Sequence, residues 1–201
     1  MFVQVISGTV TDLDAFERLG ERWNEELRPG AVGYLGVTEG TTDDGRFFVA
    51  ARFESPEAAA KNSARPEQGA WFAEMEKVVD NVTFHDCSHI ETLFGGGKDD
   101  AGFVQVMRGQ VKDLAKANEM FAHAADAEKM LNAVRPDVIG EVVAIHDDDN
   151  GYTDIVYFTS ESAARSAEQR EMPADAQALM QEFESALEVS EYFDLERLTL
   201  R

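Results

Sequence analysis

The chain opens on an apolar run. Phe2, Val3, Val5, Ile6 and Val10 predict a strand over residues 2–10. After Asp12, a good N-cap, Leu13, Phe16, Leu19, Trp23 and Leu27 recur at helical spacing until Pro29 closes the helix. Residues 32–38 predict a second strand. Asp44-Gly45 is a hairpin turn, and Arg46 to Phe53 is its partner strand. Ser55-Pro56-Glu57 places an N-cap before a proline in the first helical turn. A helix interrupted near Pro66 and Gly69 follows, continuous from residue 70 to about 79, and residues 82–93 predict the last strand. The order then returns: strand 103–111, helix 113–134, strand 138–146, turn Asn150-Gly151, strand 152–159, helices 160–188 and strand 189–200.

The return is a duplication. Phe2-Val3-Gln4-Val5 recurs as Phe103-Val104-Gln105-Val106, and the same offset pairs Gly8 with Gly109 and Asp12-Leu13 with Asp113-Leu114. Arg28-Pro29 matches Arg135-Pro136, which requires about six extra residues in the first helix of the second copy. Phe53, Ser55 and Ala58-Ala59 match Phe158, Ser160 and Ala163-Ala164. The domain reading is a first repeat over 1–94, a flexible Gly-rich linker over 95–102 and a second repeat over 103–201. The order β-α-β-β-α-β is the ferredoxin-like split unit, whose sheet carries helices on one face only. The bare face needs a cover. The expected fold is therefore α+β, with two tandem ferredoxin-like repeats packed sheet to sheet as an intramolecular dimeric α/β barrel.

Composition narrows the partners. With 18 Lys+Arg against 39 Asp+Glu, the 201-residue chain has a net charge of −21, which repels phosphate backbones and anionic lipid. No nucleic-acid or membrane partner is expected. No apolar run is long enough to span a bilayer, and no signal peptide is visible, so a cytoplasmic location is expected. A single cysteine, Cys87, excludes an internal disulfide and a Cys-rich zinc site.

The passage Phe47 to Phe53, then Glu54-Ser55-Pro56-Glu57-Ala58-Ala59, then Trp71-Phe72-Ala73-Glu74-Met75, resembles the antibiotic-biosynthesis-monooxygenase (ABM) superfamily. The resemblance covers both halves and implies a dimeric α/β barrel. It also implies a cofactor-independent monooxygenase acting on a small aromatic or quinol-like molecule. The haem-degrading branch of that superfamily uses an Asn on the first strand and a Trp and a His on the second helix. Here Asn62 and Phe72 fall at the helix positions, with Ala167 and Gln177 in the second copy, so neither haem nor another cofactor is expected. Two further classes stand beside the enzyme: a non-catalytic small-molecule binding or stress-associated protein of the same fold, and a ligand-free interaction module.

No catalytic residue is assigned by a motif. The pocket candidates are Gln4, Trp23, Trp71, Phe72, His85, Cys87, His89 and Gln105. Gln4 and Gln105 place an amide at equivalent points of an apolar first strand, either orienting a ligand or bonding across the barrel interface. Trp23, Trp71 and Phe72 are core side chains or the flat wall of an aromatic slot. His85, Cys87 and His89 alternate on one strand and so share a face, which is either a solvated polar edge, part of a pocket or a row of metal ligands. Residues 13 Å apart at its ends cannot all reach one ion, roughly, on strand geometry, and no metal is expected. Cys87 is also the one candidate thiol nucleophile. His146-Asp147-Asp148-Asp149-Asn150-Gly151 lacks EF-hand spacing and reads as a solvated turn. Ala176 and Gln177 replace the aromatic pair Trp71-Phe72 in the second copy, so a ligand site is expected in the first half, with Trp71 as its wall and Gln4 or His85 as its polar contact. Beyond the internal pseudo-dimer, a further homo-oligomer remains open.

Overall fold

The computed structural model describes residues 1–201. The first unit runs β1 (Phe2–Val10), α1 (Leu13–Arg22), β2 (Tyr34–Thr41), β3 (Arg46–Phe53), α2 (Pro56–Ser63), α3 (Pro66–Met75) and β4 (Val79–Cys87), followed by the short β5 (His89–Leu93). The second runs β6 (Phe103–Val111), α4 (Leu114–Ala122), α5 (Ala124–Val134), β7 (Val138–Ile145), β8 (Gly151–Phe158), α6 (Glu161–Glu168), α7 (Ala174–Ala186) and β9 (Leu187–Leu200).

The fold is the expected α+β barrel. All nine strands pair antiparallel in the order β4-β1-β3-β2-β9-β6-β8-β7-β5. The two units do more than stack their sheets: each lends a strand end to the other. The tail of β9 leaves β6 and pairs with β2, Leu200 opposite Thr38. The run β4–β5 leaves β1 at Cys87 and, two residues later, pairs with β7, His89 opposite Ile145. Since β4 and β5 are separated only by Ser88, this order closes on itself. Closure removes the exposed edges an open sheet would offer.

Inside the barrel, Val3, Val5, Phe48, Ala50 and Cys87 meet Val104, Val106, Ile155, Tyr157, Phe193 and Leu195. On β1 and β6 the alternate positions Gln4 and Gln105 point the other way, toward the helices. Asp12, Ser55, Asp113 and Ser160 cap their helices by accepting from backbone N–H groups. The interruption in the second helical region of the first unit falls at Pro66 alone. Arg65 is extended before the proline, whose ring disfavours a helical predecessor, and Gly69 lies inside α3. The first helix passes from α1 into a π-helical turn over Trp23–Leu27, and the single helix expected over 113–134 is broken at His123. No helix is long and apolar enough to cross a membrane.

Gly8 and Gly109, paired by the repeat, mark the same device. Each sits where β1 or β6 shifts register against the last strand of its unit. A Cβ on Gly109 would stand 1.7 Å from the Glu188 carbonyl oxygen. That backbone atom cannot swing aside as a side chain does. Gly109→Ala is expected to cost roughly 2–3 kcal/mol, measured as a lowered urea midpoint at unchanged slope.

Candidate functional site

Between the helix-facing side of the first sheet and its helices lies a cavity of about 350 Å³, and 15 of its 22 lining residues are hydrophobic, a balance suited to an apolar ligand. Ile6, Phe47, Val49, Ala51 and Phe53 form the floor. Phe16, Trp23, Trp71, Phe72 and Met75 form the roof, and Val82 and Phe84 of β4 close one side. The alternation of β1 and β3 turns these floor residues away from the barrel interior, while the opposite residues Val3, Val5, Phe48 and Ala50 fill it.

Two indoles tie the roof together. The Trp71 Nε1–H donates to the Leu19 carbonyl at 2.8 Å, fixing α3 to α1. The Trp23 Nε1–H donates to Gln68 Oε1 at 2.7 Å. Trp23 begins the π-helical turn, whose wider spacing sets its ring against Tyr34 at 5.1 Å. Tyr34 in turn meets Phe53 at 5.6 Å, so one aromatic row lines this end of the cavity.

Polar groups enter at few points. Gln4 lines the cavity while its Nε2 donates to Asp86 Oδ1 of β4 at 3.0 Å, a bond between neighbouring strands of one sheet. Asn62 and Gln68 are already engaged, by Arg65 and Trp23. Burial raises the Tyr34 phenol to about 12, so it stays a hydroxyl donor at neutral pH. Glu39 of β2 is the only carboxylate on the wall, and no side chain or backbone donor bonds it. The absence of a side chain on Gly20 leaves it room: a Cβ there would lie 3.4 Å from Glu39 Oε1. Burial raises the Glu39 carboxyl to about 7, against the opposing pull of the Arg201 guanidinium.

Of the residues singled out from the sequence, the structure brings Gln4, Trp23, Trp71 and Phe72 to this cavity. His85, Cys87, His89 and Gln105 lie elsewhere. His85 is opposite Val5 on β4 and so faces the barrel side, where it stacks on His146. Cys87 is fully buried in the barrel core. Burial and the surrounding Asp147 and Asp86 push its thiol far above the usual range, which removes it as a nucleophile. His89 does not share a face with them. The strand changes sheets at Ser88, the alternation resets there, and His89 turns to Phe121 of α4 and to Glu91. Gln105 repeats the Gln4 arrangement in the second unit, donating to Asp194 Oδ1 at 2.8 Å.

Sequence reasoning missed Glu39, which stands one residue past the predicted end of its strand. The signal available was alternation. Val37 and Glu39 are two apart, so a strand continued by one residue places Glu39 on the same face as an apolar residue.

No protein-family model matches the chain, and no curated protein matches it in sequence. Solved structures match it in fold. A candidate monooxygenase from Lactobacillus acidophilus NCFM superposes with a TM-score of 0.74 at 14% identity, over 99% of this chain and 95% of that one. A candidate monooxygenase from Fusobacterium nucleatum gives 0.74 at 9% identity, over 100% and 93%. An anthrone oxidase-like protein gives 0.69 at 12% identity, over 99% and 92%. Near-complete coverage in both directions means that the likeness spans both units of the chain. The chain thus has the fold of these proteins, with two ferredoxin-like units on a single polypeptide closed into one α+β barrel.

Proposed function

We propose that the first-half cavity binds a flat aromatic molecule with an acidic C–H or O–H, of the anthrone or quinol kind, and that the chain oxidises it with molecular oxygen without a cofactor. The observation that carries this reading is Glu39: one unpaired carboxylate of pKa about 7 on the wall of an otherwise apolar, aromatic-lined cavity. Such a group is tuned for general-base work near neutral pH. The fold likeness adds support by analogy alone.

The chemistry balances with substrate and oxygen only. For a methylene flanked by aryl groups, Glu39 takes one proton and leaves a delocalised carbanion. That anion passes one electron to O₂, and the resulting radical and superoxide join through a new C–O bond. Glu39 returns its proton to the peroxide. Loss of the second C–H proton with cleavage of the O–O bond gives a carbonyl and water. The protein's part is to hold the ring system in the aromatic slot, exclude bulk water and stabilise the developing oxyanion with the Tyr34 hydroxyl and the Gln4 amide.

The test is oxygen uptake by purified, dialysed protein given anthrone, dithranol and substituted hydroquinones. The expected result is saturable uptake of one O₂ per substrate molecule oxidised, with water as the co-product from anthrone and dithranol and hydrogen peroxide from the hydroquinones, unaffected by chelator. Saturable binding of the same compounds, seen as quenching of Trp23 and Trp71, without oxygen uptake would instead make the chain a non-catalytic binder of the same ligands.

A further inference from the structure

We propose that His85, His146, Asp148 and Asp149 form a binding site for a divalent first-row transition ion of the zinc, cobalt or nickel kind, clasping the two units of the barrel. Each side chain offers one ligand atom, and all four atoms lie within 4.8 Å of one another. The site is distinct from the Glu39 cavity and does not depend on its function.

The fold assembles it from both units. His85 comes from β4, the others from the hairpin between β7 and β8. That hairpin is seated where β4 changes sheets. The Asp147 N–H donates to the Asp86 carbonyl at 2.9 Å, and the Asp147 carboxylate accepts from the Ser88 N–H at 3.1 Å and hydroxyl at 2.9 Å. The turn therefore brings its neighbours to a fixed place beside His85.

Two of the donors are largely buried and two stand at the surface, and one of the stacked rings turns for both in-plane lone pairs to meet one ion. The two imidazoles stack at 4.1 Å with their planes 14° apart, and their side chains are only 14% and 3% exposed. Asp148 and Asp149, at 57% and 44%, stand at the surface, where an ion enters; Asp149 Oδ1 accepts from the Gly151 N–H at 2.8 Å, which leaves its second oxygen and the Asp148 carboxylate to close on an ion at roughly 2.0–2.2 Å. His146 Nε2 bonds to Thr153 Oγ1 at 2.9 Å, which orients the ring as an outer-shell partner does and turns Nδ1 to the carboxylates. His85 Nδ1 lies 3.2 Å from Asp148 Oδ1, and His146 Nδ1 lies 3.1 Å from Asp149 Oδ1. Neutral imidazole is the ligating form, and His146 is buried beside His85 rather than set in open solvent. The Arg108 guanidinium, which also acts on His146, is engaged by Ser7 Oγ at 3.0 Å. Two imidazoles with two carboxylates select a borderline ion over the all-oxygen coordination preferred by magnesium and calcium.

The test uses full-length protein stripped with chelator and dialysed. Titration with Co²⁺, followed by its visible d–d absorption, and with Zn²⁺, followed by thermal shift, should give one ion per chain, a Kd tighter than about 10 μM and a raised Tm, with no competition from millimolar Mg²⁺ or Ca²⁺. His85→Ala should weaken binding about tenfold or more. The double variant Asp148→Asn/Asp149→Asn, confined to exposed side chains and so safe for folding, should do the same. His89→Ala should leave binding unchanged. Absence of 1:1 binding up to 100 μM metal, or an affinity unaltered in both the His85 and the Asp148/Asp149 variants, overturns the assignment.

Discussion

Glu39→Gln is expected to lower kcat/KM for oxygen-dependent turnover by about 10²–10⁴-fold, with the substrate's Kd changed little. Gln keeps the size of Glu and removes only the ability to take a proton. Glu39 meets the cavity without a hydrogen-bond partner, so the substitution breaks no internal bond and should leave the fold intact. The pH profile separates a base from a mere wall. The base must be ionised to act, so wild-type kcat/KM should rise as pH rises through about 7 and level off above it. The variant's residual rate should lack that limb. A Glu39→Gln protein that retains full turnover and the same pH limb would sink the assignment and leave the apolar slot as a binding site only.

The architecture was legible because duplication leaves redundant evidence. One apolar run that reads as a strand is weak evidence. Phe2-Val3-Gln4-Val5 and Phe103-Val104-Gln105-Val106, followed in both copies by a glycine and an N-capping Asp at the same distance, fix two units of one topology. The aromatic wall was legible too, since Trp71 and Phe72 have small or polar counterparts in the other copy. Three things were not. Strand alternation locates side chains only within one sheet, and no local pattern says that residues 79–93 serve two sheets, so His89 was placed on the wrong face. Glu39, flanked by Thr38 and Gly40, resembles the approach to a turn rather than the interior of a strand, and its role depends on the roof that covers it. His146 belongs to a run of acids that reads as solvent-facing, yet it is buried because the barrel seats the whole hairpin against β4. In each case the missing information is a long-range contact, which sequence spacing does not encode.

Mild acid is expected to stabilise this protein, by roughly 3 kcal/mol between pH 8 and pH 5. Three carboxyls carry the effect. Burial raises Glu39 and Glu141 to about 7, and raises Asp154 well above the usual carboxylate range. Glu141 and Asp154 also repel one another, and neither Asp154 Oδ1 nor the adjacent Tyr152 hydroxyl has a partner. The sign follows from comparing the two states. In the unfolded chain these groups ionise near pH 4–4.5, whereas in the fold they hold their protons to about 7 or beyond. Their contribution is fully present below pH 4, and it is lost as pH rises through the folded values. A rise from 4.5 to about 7 in Glu39 alone corresponds to at most roughly 3 kcal/mol. His146 works in the opposite sense. Its lowered pKa means that the unfolded chain takes up the proton first, so stability is lost as pH falls below about 6.5. One histidine offsets only part of the gain from three acids. The net charge of −21 also falls in acid and relieves self-repulsion, which acts in the same direction as the carboxyls but is spread over the surface. The variant Glu141→Gln/Asp154→Asn isolates the Glu141–Asp154 pair, because it changes the net charge by little and keeps both side-chain shapes. Urea unfolding at pH 5, 6.5 and 8 should show the double variant more stable than wild type at pH 8, nearly equal at pH 5, and flatter between them. A wild-type stability that climbs steadily from pH 5 to pH 8, or a double variant with the same slope as wild type, would show that these carboxyls are solvated and ionised in the fold.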